Sequence, residues 1–332
     1  MRAATSRKHI RSPQRLMKLC LSIEIQEGMS YADTLAMTRA GEALGFDASL
    51  LAEHYYPSGP ADRYPGGYRQ HMAADAWIYL AGLARETQTI RLGTLVSPVT
   101  FRHPVVLAKM AATLDHLSNG RAELGVGAGW LEPEHVAYGF EFPPAPTRVD
   151  LLEEQLQVIA GLWNDNQNPY SHDGKAYHLK EAQFTPRPIQ QPRPTLIVGG
   201  SSTAERLPRL AARYADEYVI NSPSLEQCRA ARERLDRACQ ANGRDPSTLA
   251  LSAFVAINVG ETQDQVERTF DSYTRTNPQY ARMLNTRANW IVGTPDQAHQ
   301  QLAALATAGL ARIMLSVNCN LHRDMLPLLK PS

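Results

Sequence analysis

Two kinds of apolar pattern alternate along the chain. Short runs of apolar and β-branched residues predict strands, and longer segments with an apolar residue every three or four positions predict amphipathic helices. The predicted strands are residues 19–25, 48–53, 91–97, 122–127, 195–199, 217–221, 250–258 and 312–317. The predicted helices are residues 31–45, 73–86, 103–118, 148–163, 203–215, 224–242 and 295–309. Strands that alternate with helices pair in parallel through right-handed crossovers, so eight such units predict an α/β fold, a closed (β/α)8 TIM barrel.

Capping residues support these helix boundaries. N-caps or first turns of helices are predicted at hydroxyl residues, namely Ser30, Thr147, Ser224 and Thr294. Glycines stand where helix C-termini are predicted, at Gly45, Gly120, Gly243 and Gly309. Local and global patterns therefore point to the same fold.

Three long segments interrupt the alternation: residues 54–72, 164–194 and 276–292. Loops of this length in a compact domain are usually functional. We expect all three to follow or flank the C-terminal ends of strands, where barrel active sites are built, and we interpret them as insertion loops that serve as lids.

Composition narrows the class of protein. The 34 Lys and Arg residues nearly balance 33 Asp and Glu residues, which gives no reason to expect a nucleic-acid partner. No apolar stretch is long enough to cross a bilayer, so a soluble protein without a membrane partner is expected. The four cysteines form no CxxC pair and are interpreted as free thiols of a reducing cytoplasm.

The charge is unevenly distributed. Residues 1–16 carry five cations and no acid, so removing them from a net charge of +1 leaves −4 for the rest. Without an apolar h-region this leader is interpreted as a disordered basic tail, and residues 17–332 as one barrel domain.

The predicted second strand ends in Glu53, His54, Tyr55 and Tyr56. Imidazole titrates near neutral pH, so His54 with Glu53 beside it is a candidate general acid or base or a hydrogen-bond partner of a cofactor ring. A surface histidine with ordinary polar neighbours is the alternative.

Three further strand ends carry features suited to a cofactor. The third strand breaks after Leu95, Val96 and Ser97, and an ordinary loop that ends the strand at a proline explains this break nearly as well. The fourth strand ends in a GxGxG run with Gly127, Gly129 and Trp130. The fifth strand ends in Gly199, Gly200, Ser201 and Ser202. Glycines let a flat ligand approach the backbone, and Trp130 offers a stacking face. The Gly-Gly-Ser-Ser turn predicts a phosphate site, with an ordinary Ser N-cap as the alternative. The GxGxG spacing is not a dinucleotide-binding fingerprint.

Glu134 and His135 follow the glycine run, and together with His54 they are candidate metal ligands. No HxxxH or HExxH spacing exists, so no metal is expected and a metal-dependent hydrolase is disfavoured. Arg148 is interpreted as a partner in ion pairs on a helix surface, with anchoring of a loop or a ligand anion as the alternative.

The motifs together resemble a known family. They are RLGT at 91–94, FRHP at 101–104, LDHLSNGR at 114–121, GVGAGW at 125–130 and GFEFPP at 139–144. From Met17 to the last strand the chain resembles the bacterial luciferase-like superfamily of flavin-dependent oxidoreductases, closest to the branch that uses the deazaflavin coenzyme F-420. Related members that use FMN share much of this pattern.

The resemblance implies roles for the strand ends. A non-prolyl cis peptide around Leu95, Val96 and Ser97 would back the cofactor ring, residues 127–130 would line it, residues 199–202 would bind its phosphate, and His54 would face its reactive edge. Relatives that use the deazaflavin usually carry Asp-His where this chain has Glu53-His54. The branch that resembles sugar-phosphate dehydrogenases carries a carboxylate where this chain has Trp130. Oxidation of glucose 6-phosphate is therefore disfavoured, and we expect an apolar or aromatic substrate near Tyr55 and Tyr56.

The resulting hypothesis is hydride transfer between a bound cofactor and a small organic substrate, with coenzyme F-420 favoured and His54, tuned by Glu53, moving the proton. The first alternative is an FMN-dependent monooxygenase that uses O2 and a separate flavin reductase. The second is a non-catalytic flavin-binding barrel. Members that show this resemblance commonly pair, so a homodimer is expected.

Overall fold

The computed structural model describes residues 17–58, 73–164, 166, 168–276, 288–317 and 320–329. Its strands are, in chain order, β1 Lys18–Ile23, β2 Ala48–Leu51, β3 Arg91–Pro98, β4 Ala122–Gly127, β5 Tyr170–Asp173, β6 His178–Ala182, β7 Thr195–Gly200, β8 Glu217–Asn221, β9 Ala250–Val259, β10 Ile291–Gly293 and β11 Arg312–Val317. Each of the eight strands predicted from sequence is present. The predicted basic tail lies outside the described residues.

Eight of these strands close into a parallel barrel. The order around the ring is β1, β2, β3, β4, β7, β8, β9 and β11, and β11 pairs with β1 to close it. The short strand β10 pairs with β9 outside the ring, and β5 and β6 form a separate antiparallel hairpin. The predicted (β/α)8 TIM barrel is confirmed.

Helices connect the strands around the outside. They are α1 Tyr31–Ala43, α2 Ala76–Glu86, α3 Pro104–Leu117, α4 Glu132–Tyr138, α5 Ala145–Trp163, α6 Arg206–Tyr214, α7 Leu225–Ala241, α8 Gln263–Thr276, α9 Pro295–Thr307 and α10 Asn320–Met325. Within the described parts of the chain, no helix is long and apolar enough to span a bilayer.

Capping residues explain where several helices begin. The Ser30 side chain accepts a hydrogen bond from the Asp33 backbone, and Ser224 does the same for Gln227, which confirms both predicted N-caps. Thr147 is not an N-cap but lies in the first turn of α5, which is the other position predicted for it. Pro144 caps α5 instead, since proline is tolerated in the first helical turn and the Pro-rich run lets the helix start at Ala145.

The core has two parts because the barrel wall is apolar on both faces. The larger part lies between the strands and the helices, and the smaller fills the inside of the barrel with Cys20, Ala48, Leu50, Ile197, Val219 and Met314. Burial of one such aliphatic side chain contributes roughly 1.5–3 kcal/mol to folding. Cys20, Cys228 and Cys239 are buried free thiols, as expected, and Cys319 lies outside the described residues.

A buried ionic cluster lies at the N-terminal end of the barrel. Arg312 contacts Glu123 at 3.1 Å, Glu217 at 2.7 Å and Asp47 at 3.1 Å. Arg91 pairs with Glu123, and Lys18 pairs with Asp47, each at 2.5 Å. Burial raises the pKa of Glu217, and the adjacent Glu123 and Glu217 carboxylates hold the pKa of Arg312 above its ordinary value. With three cations and three acids the cluster is neutral.

The segment 164–194 does not reach the opposite, C-terminal end. Gln190 contacts Arg91 at 3.0 Å and the Ala122 carbonyl at 2.8 Å, and both residues begin strands. The hairpin of β5 and β6 packs on α5, where the Glu154 carboxylate accepts hydrogen bonds from its turn. The prediction that this segment is a lid is wrong, because a segment between a helix and the next strand returns to the N-terminal end of the barrel.

Candidate active site at the barrel mouth

His54 lies just beyond the C-terminal end of β2 and contacts a buried acid. Its Nδ1 is 2.9 Å from Oε1 of Glu134, which α4 carries after the end of β4. The other oxygen of Glu134 accepts a hydrogen bond from the Tyr55 backbone at 3.1 Å. Since an ionised carboxylate can only accept, Nδ1 is the protonated nitrogen of His54. Nε2 makes no hydrogen bond to another described residue and is the nitrogen available at the mouth.

Glu53 points to a different part of the mouth. Its carboxylate accepts hydrogen bonds from Ser97 at 2.5 Å and Trp77 at 3.3 Å, and it forms an ion pair with Arg102. Burial raises the pKa of Glu53, and the Arg102 charge opposes that shift. The expectation that Glu53 tunes His54 by direct contact does not match this geometry, because Glu134 occupies that position. A catalytic role for Glu53 stays a prediction.

The third strand bends where the sequence suggested. The Leu95–Val96 peptide is cis, as the resemblance implied, and the pairing register of β3 with β4 shifts between Thr94 and Ser97. Ser97 is buried, and Leu95 packs against the apolar cluster inside the barrel. Whether this bend backs a cofactor ring stays a prediction.

Glycines make room for the Val96 side chain. A Cβ at Gly127 would lie 2.7 Å from Val96 Cγ2, and a Cβ at Gly199 would lie 3.0 Å from Val96 Cγ1. Any side chain at Gly127 would therefore displace Val96. The ends of β3, β4 and β7 form one closely packed surface around this valine, with bare backbone at two of its edges.

Trp130 stands beside His54. The two rings are 5.5 Å apart in an edge-to-face arrangement, and 62 % of the Trp130 surface is exposed. Gly129 before it has a left-handed backbone with φ of 79°, which a residue with a side chain rarely adopts. The GxGxG run thus presents the indole at the mouth.

Arg148 holds this run in place from α5. It donates to the carbonyls of Ala128, at 3.0 Å, and Pro143, and its guanidinium lies 3.8 Å from the centre of the Phe142 ring. Arg148 is buried, so the interpretation of helix-surface ion pairing is wrong and the alternative, a loop anchor, is correct.

The predicted phosphate turn opens at the same mouth. Gly199 and Gly200 end β7, which pairs with β4 next to the glycine run. The Ser201 carbonyl accepts a hydrogen bond from the Tyr218 hydroxyl at 2.9 Å, and the Ser202 carbonyl accepts one from Arg234 at 2.5 Å. α6 begins only at Arg206 with Glu205 as its N-cap, so neither serine caps it and the turn itself, rather than the helix end, would have to bind an anion.

The two tyrosines differ. The Tyr55 ring stacks on Phe101 at 4.9 Å, its hydroxyl accepts from Arg102 at 2.7 Å, and burial raises its pKa to about 12. The Tyr56 ring meets Tyr138 edge to face at 6.2 Å. Tyr55 belongs to the aromatic layer behind the site, and both tyrosines are half-buried.

The site also contains the buried hydroxyl of Ser22, which has no hydrogen-bond partner among the described residues. Ser22 lies in β1 two residues beyond Cys20, whose sulfur accepts a hydrogen bond from Arg312 inside the barrel, so Ser22 also faces inward but nearer the mouth. Its Oγ is fully buried and has no hydrogen-bond partner among the described residues. A buried hydroxyl below a glycine-edged surface fits a flat ring that carries polar atoms.

Sequence reasoning found His54 and the strand ends but missed Glu134 as its partner, as well as Arg102 and Ser22. Glu134 stood in a quoted motif, but nothing local linked it to a histidine 80 positions earlier. Among the residues that the structure describes, no group of three His, Cys, Asp or Glu side chains could hold a metal ion.

The architecture and this mouth define a class: a barrel enzyme with an acid–base pair beside a surface suited to a flat cofactor. The model of the luciferase-like monooxygenase family matches residues 17–312. The chain therefore belongs to this family, which confirms the family that the motifs indicated and the predicted enzyme class, an oxidoreductase.

Relatives of two cofactor types are similar to the chain. An F-420-dependent glucose-6-phosphate dehydrogenase of Microbacterium testaceum (strain StLB037) is 30 % identical over 75 % of this chain, and the match covers 66 % of that relative, just under two thirds. An FMNH2-dependent dimethylsulfone monooxygenase of Pseudomonas putida is 28 % identical over 76 % of each chain. The structure of an F-420-dependent secondary alcohol dehydrogenase with an F-420–acetone adduct superposes with a TM-score of 0.78 at 19 % identity, and covers 95 % of this chain and 99 % of that one. At that identity the likeness concerns the fold alone.

Proposed function

We propose that this chain transfers a hydride between bound coenzyme F-420 and a small organic substrate, while His54 moves the accompanying proton. The observation that carries the proposal is the His54–Glu134 pair, which lies beside exposed Trp130 at the same end of the barrel as the Gly199–Ser202 turn. The bound cofactor would supply the ring atom that donates or accepts the hydride.

Each protein group has a distinct task in this proposal. Glu134 fixes the Nδ1 proton of His54, so that Nε2 accepts a proton from a substrate hydroxyl or returns one to a carbonyl oxygen. The positive charge that His54 acquires is stabilised by the Glu134 carboxylate. Glu53 holds Ser97 and Arg102 and so positions the bent strand. The residues 199–202 would grip the cofactor phosphate, and Ser22 would meet a polar atom of its ring.

The choice of F-420 over FMN is supported by the similarity to F-420-dependent relatives, of which the Microbacterium protein is one. An FMN-dependent monooxygenase with a separate reductase is the second candidate, favoured by the similarity to the Pseudomonas relative. A non-catalytic binding protein has less support, because it would have no need of the buried carboxylate on His54.

Titration of the apo protein with coenzyme F-420 and, separately, with FMN tests the proposal. We expect F-420 to bind with a dissociation constant at least about tenfold lower than that of FMN, a difference of about 1.4 kcal/mol. Tighter binding of reduced FMN, with O2 consumption on addition of a flavin reductase, would replace the proposal with the monooxygenase. Binding of neither would remove both.

We further propose a cytoplasmic homodimer. Ile78 on α2 is 71 % exposed and Val106 on α3 is 49 % exposed, and these adjacent helices offer apolar surface that a second copy could cover. The buried free thiols support a reducing compartment. Light scattering at rising protein concentration measures the oligomeric state, and a monomer throughout the range contradicts the dimer.

A further inference from the structure

We infer that the substrate is an uncharged, aromatic ketone or alcohol that stacks on an aromatic wall formed by Tyr56, Trp130 and Tyr138. The inference rests on the proposed oxidoreductase function and adds the chemical class of its substrate. Two independent features of the mouth carry it, namely the exposure of Trp130 and Tyr138 and the distribution of charge around the wall.

The aromatic wall begins at His54 and extends outward. Trp130 contacts His54 edge to face, and Tyr138, which ends α4, meets Tyr56 at 6.2 Å and Tyr55 at 6.5 Å, both edge to face. Trp130 is 62 % exposed and Tyr138 is 56 % exposed. An aromatic substrate that stacks on Trp130 lies beside His54, whose ring centre is 5.5 Å from that of the indole.

A second aromatic layer lies behind Tyr138, which meets its Tyr55 ring at 6.5 Å. Tyr55 stacks on Phe101, and Phe101 lies 5.0 Å from Phe140, which is itself 6.0 Å from Tyr55. The Tyr55 hydroxyl is fixed by Arg102. Aromatic side chains held in this way lose little conformational freedom when a ligand stacks on them.

The charged groups of the described mouth leave no cation for an anionic substrate. Arg102 is engaged by Glu53, Asp75 and the Tyr55 hydroxyl. Arg148 is buried against backbone carbonyls. Glu134 is paired with His54, and exposed Glu132 adds a further negative charge beside Trp130. A phosphorylated sugar would meet acids here without an unengaged guanidinium among the described residues, whereas an uncharged ring system meets no penalty.

The chemistry balances for a ketone and its alcohol. In the direction of reduction the bound reduced cofactor would supply a hydride, with its two electrons, to the carbonyl carbon, and Nε2 of His54 would donate a proton to the carbonyl oxygen. The ketone would become a secondary alcohol, the cofactor would be left oxidised, and His54 would take up a proton from solvent.

Equilibrium binding of 2-acetonaphthone, an uncharged two-ring ketone, to the protein loaded with oxidised F-420 tests the inference without turnover. We expect Trp130→Ala and Tyr138→Ala each to weaken binding about tenfold. Trp130→Phe, which keeps a ring, should stay within about threefold of the unmodified protein. Glucose 6-phosphate should neither bind nor displace the ketone.

Val136→Ala is the matched control. Val136 is 73 % exposed on the same helix, but two residues turn a helix by about 200°, so it points away from Tyr138. We expect less than a twofold effect. Equal losses at Val136, Trp130 and Tyr138, or displacement of the ketone by glucose 6-phosphate, would overturn the inference. Failure of the unmodified protein to bind F-420 would instead overturn the proposed function, and the loading step shows this before any ketone is added.

Discussion

The two ends of the barrel use charged side chains for opposite purposes. At the N-terminal end Arg312, Glu123 and Glu217 are buried and saturated with partners. At the C-terminal end the His54–Glu134 pair leaves Nε2 of His54 without a partner among the described residues, beside an exposed indole. A closed ionic cluster can only stabilise or specify the fold, whereas an incomplete one can exchange a proton with a ligand. The difference shows that, in a barrel, the residues that stabilise the fold lie at the N-terminal end and those that act on a ligand lie at the C-terminal end.

The same contrast appears in the uncharged groups. The interior near the N-terminal end is filled by Cys20, Met314 and their apolar neighbours. Near the mouth, the buried Ser22 hydroxyl has no hydrogen-bond partner in the described part of the chain, and Gly127 has no side chain. Unsatisfied polar atoms and bare backbone cost stability, so their concentration at one end marks the end that binds a ligand.

The largest effect on turnover is expected from a substitution at the C-terminal end of the barrel. His54→Ala should lower turnover about 10³-fold, since the proton transfer loses its acid–base group. The dissociation constant for F-420 and the midpoint of thermal unfolding should change little. His178→Ala, on the exposed hairpin, is the control and should have no effect on kcat. Unchanged kcat in His54→Ala would remove its catalytic role.

Arg312→Met, at the N-terminal end, should lower stability and leave turnover unchanged, which is the opposite of the effect expected for His54→Ala. Loss of the guanidinium leaves Glu217 buried beside Glu123 without its cation, at a cost of about 3–5 kcal/mol in the free energy of unfolding. Denaturant unfolding measures the loss, and kcat of the remaining folded protein should be retained. Arg206→Ala removes an exposed pair with Asp150 and should cost less than about 1 kcal/mol. A catalytic defect in Arg312→Met without loss of stability would mean that the two ends are not independent.

Acid should destabilise the fold through His322, in α10, which follows β11 at the mouth end. Burial lowers the pKa of His322 from 6.5 to about 4, so the folded state keeps this imidazole neutral while the unfolded state protonates it. The contribution is therefore complete above pH 6.5, and it is lost progressively as the pH falls from 6.5 to about 4, by about 3 kcal/mol in all. His322→Gln should show a correspondingly flatter stability profile over this range. Parallel profiles for the two proteins would contradict the assignment.

Glu134→Gln tests whether the charge of Glu134 contributes to proton transfer by His54. The amide oxygen can still accept from Nδ1 of His54, but an NH2 group, which cannot accept, replaces the oxygen that faces the Tyr55 backbone N–H. The side chain also carries no charge, so kcat should fall about 10–100-fold with KM nearly unchanged. A fall in thermal stability with kcat unaltered would assign Glu134 a structural role only.

The sequence by itself determined the eight strands, the parallel barrel and the grouping of His54, residues 127–130 and residues 199–202 at one end. Each of these follows from local periodicity together with the rule that parallel strands bring their C-terminal ends to one face. The cis peptide at Leu95–Val96 was also predictable, because the resemblance of this short motif to a known family implied it.

Only the tertiary structure decided which side chains meet. Glu53 is adjacent to His54 in sequence, yet it contacts Ser97 and Arg102, because successive residues at a strand end point to different sides. Glu134 and Arg312 find partners that are distant in sequence and lie next but one around the ring: His54 follows β2 and Glu134 follows β4, while Glu217 is in β8 and Arg312 is in β11. Pair contacts of this kind depend on the three-dimensional arrangement of the ring, and periodicity along one chain carries no information about them.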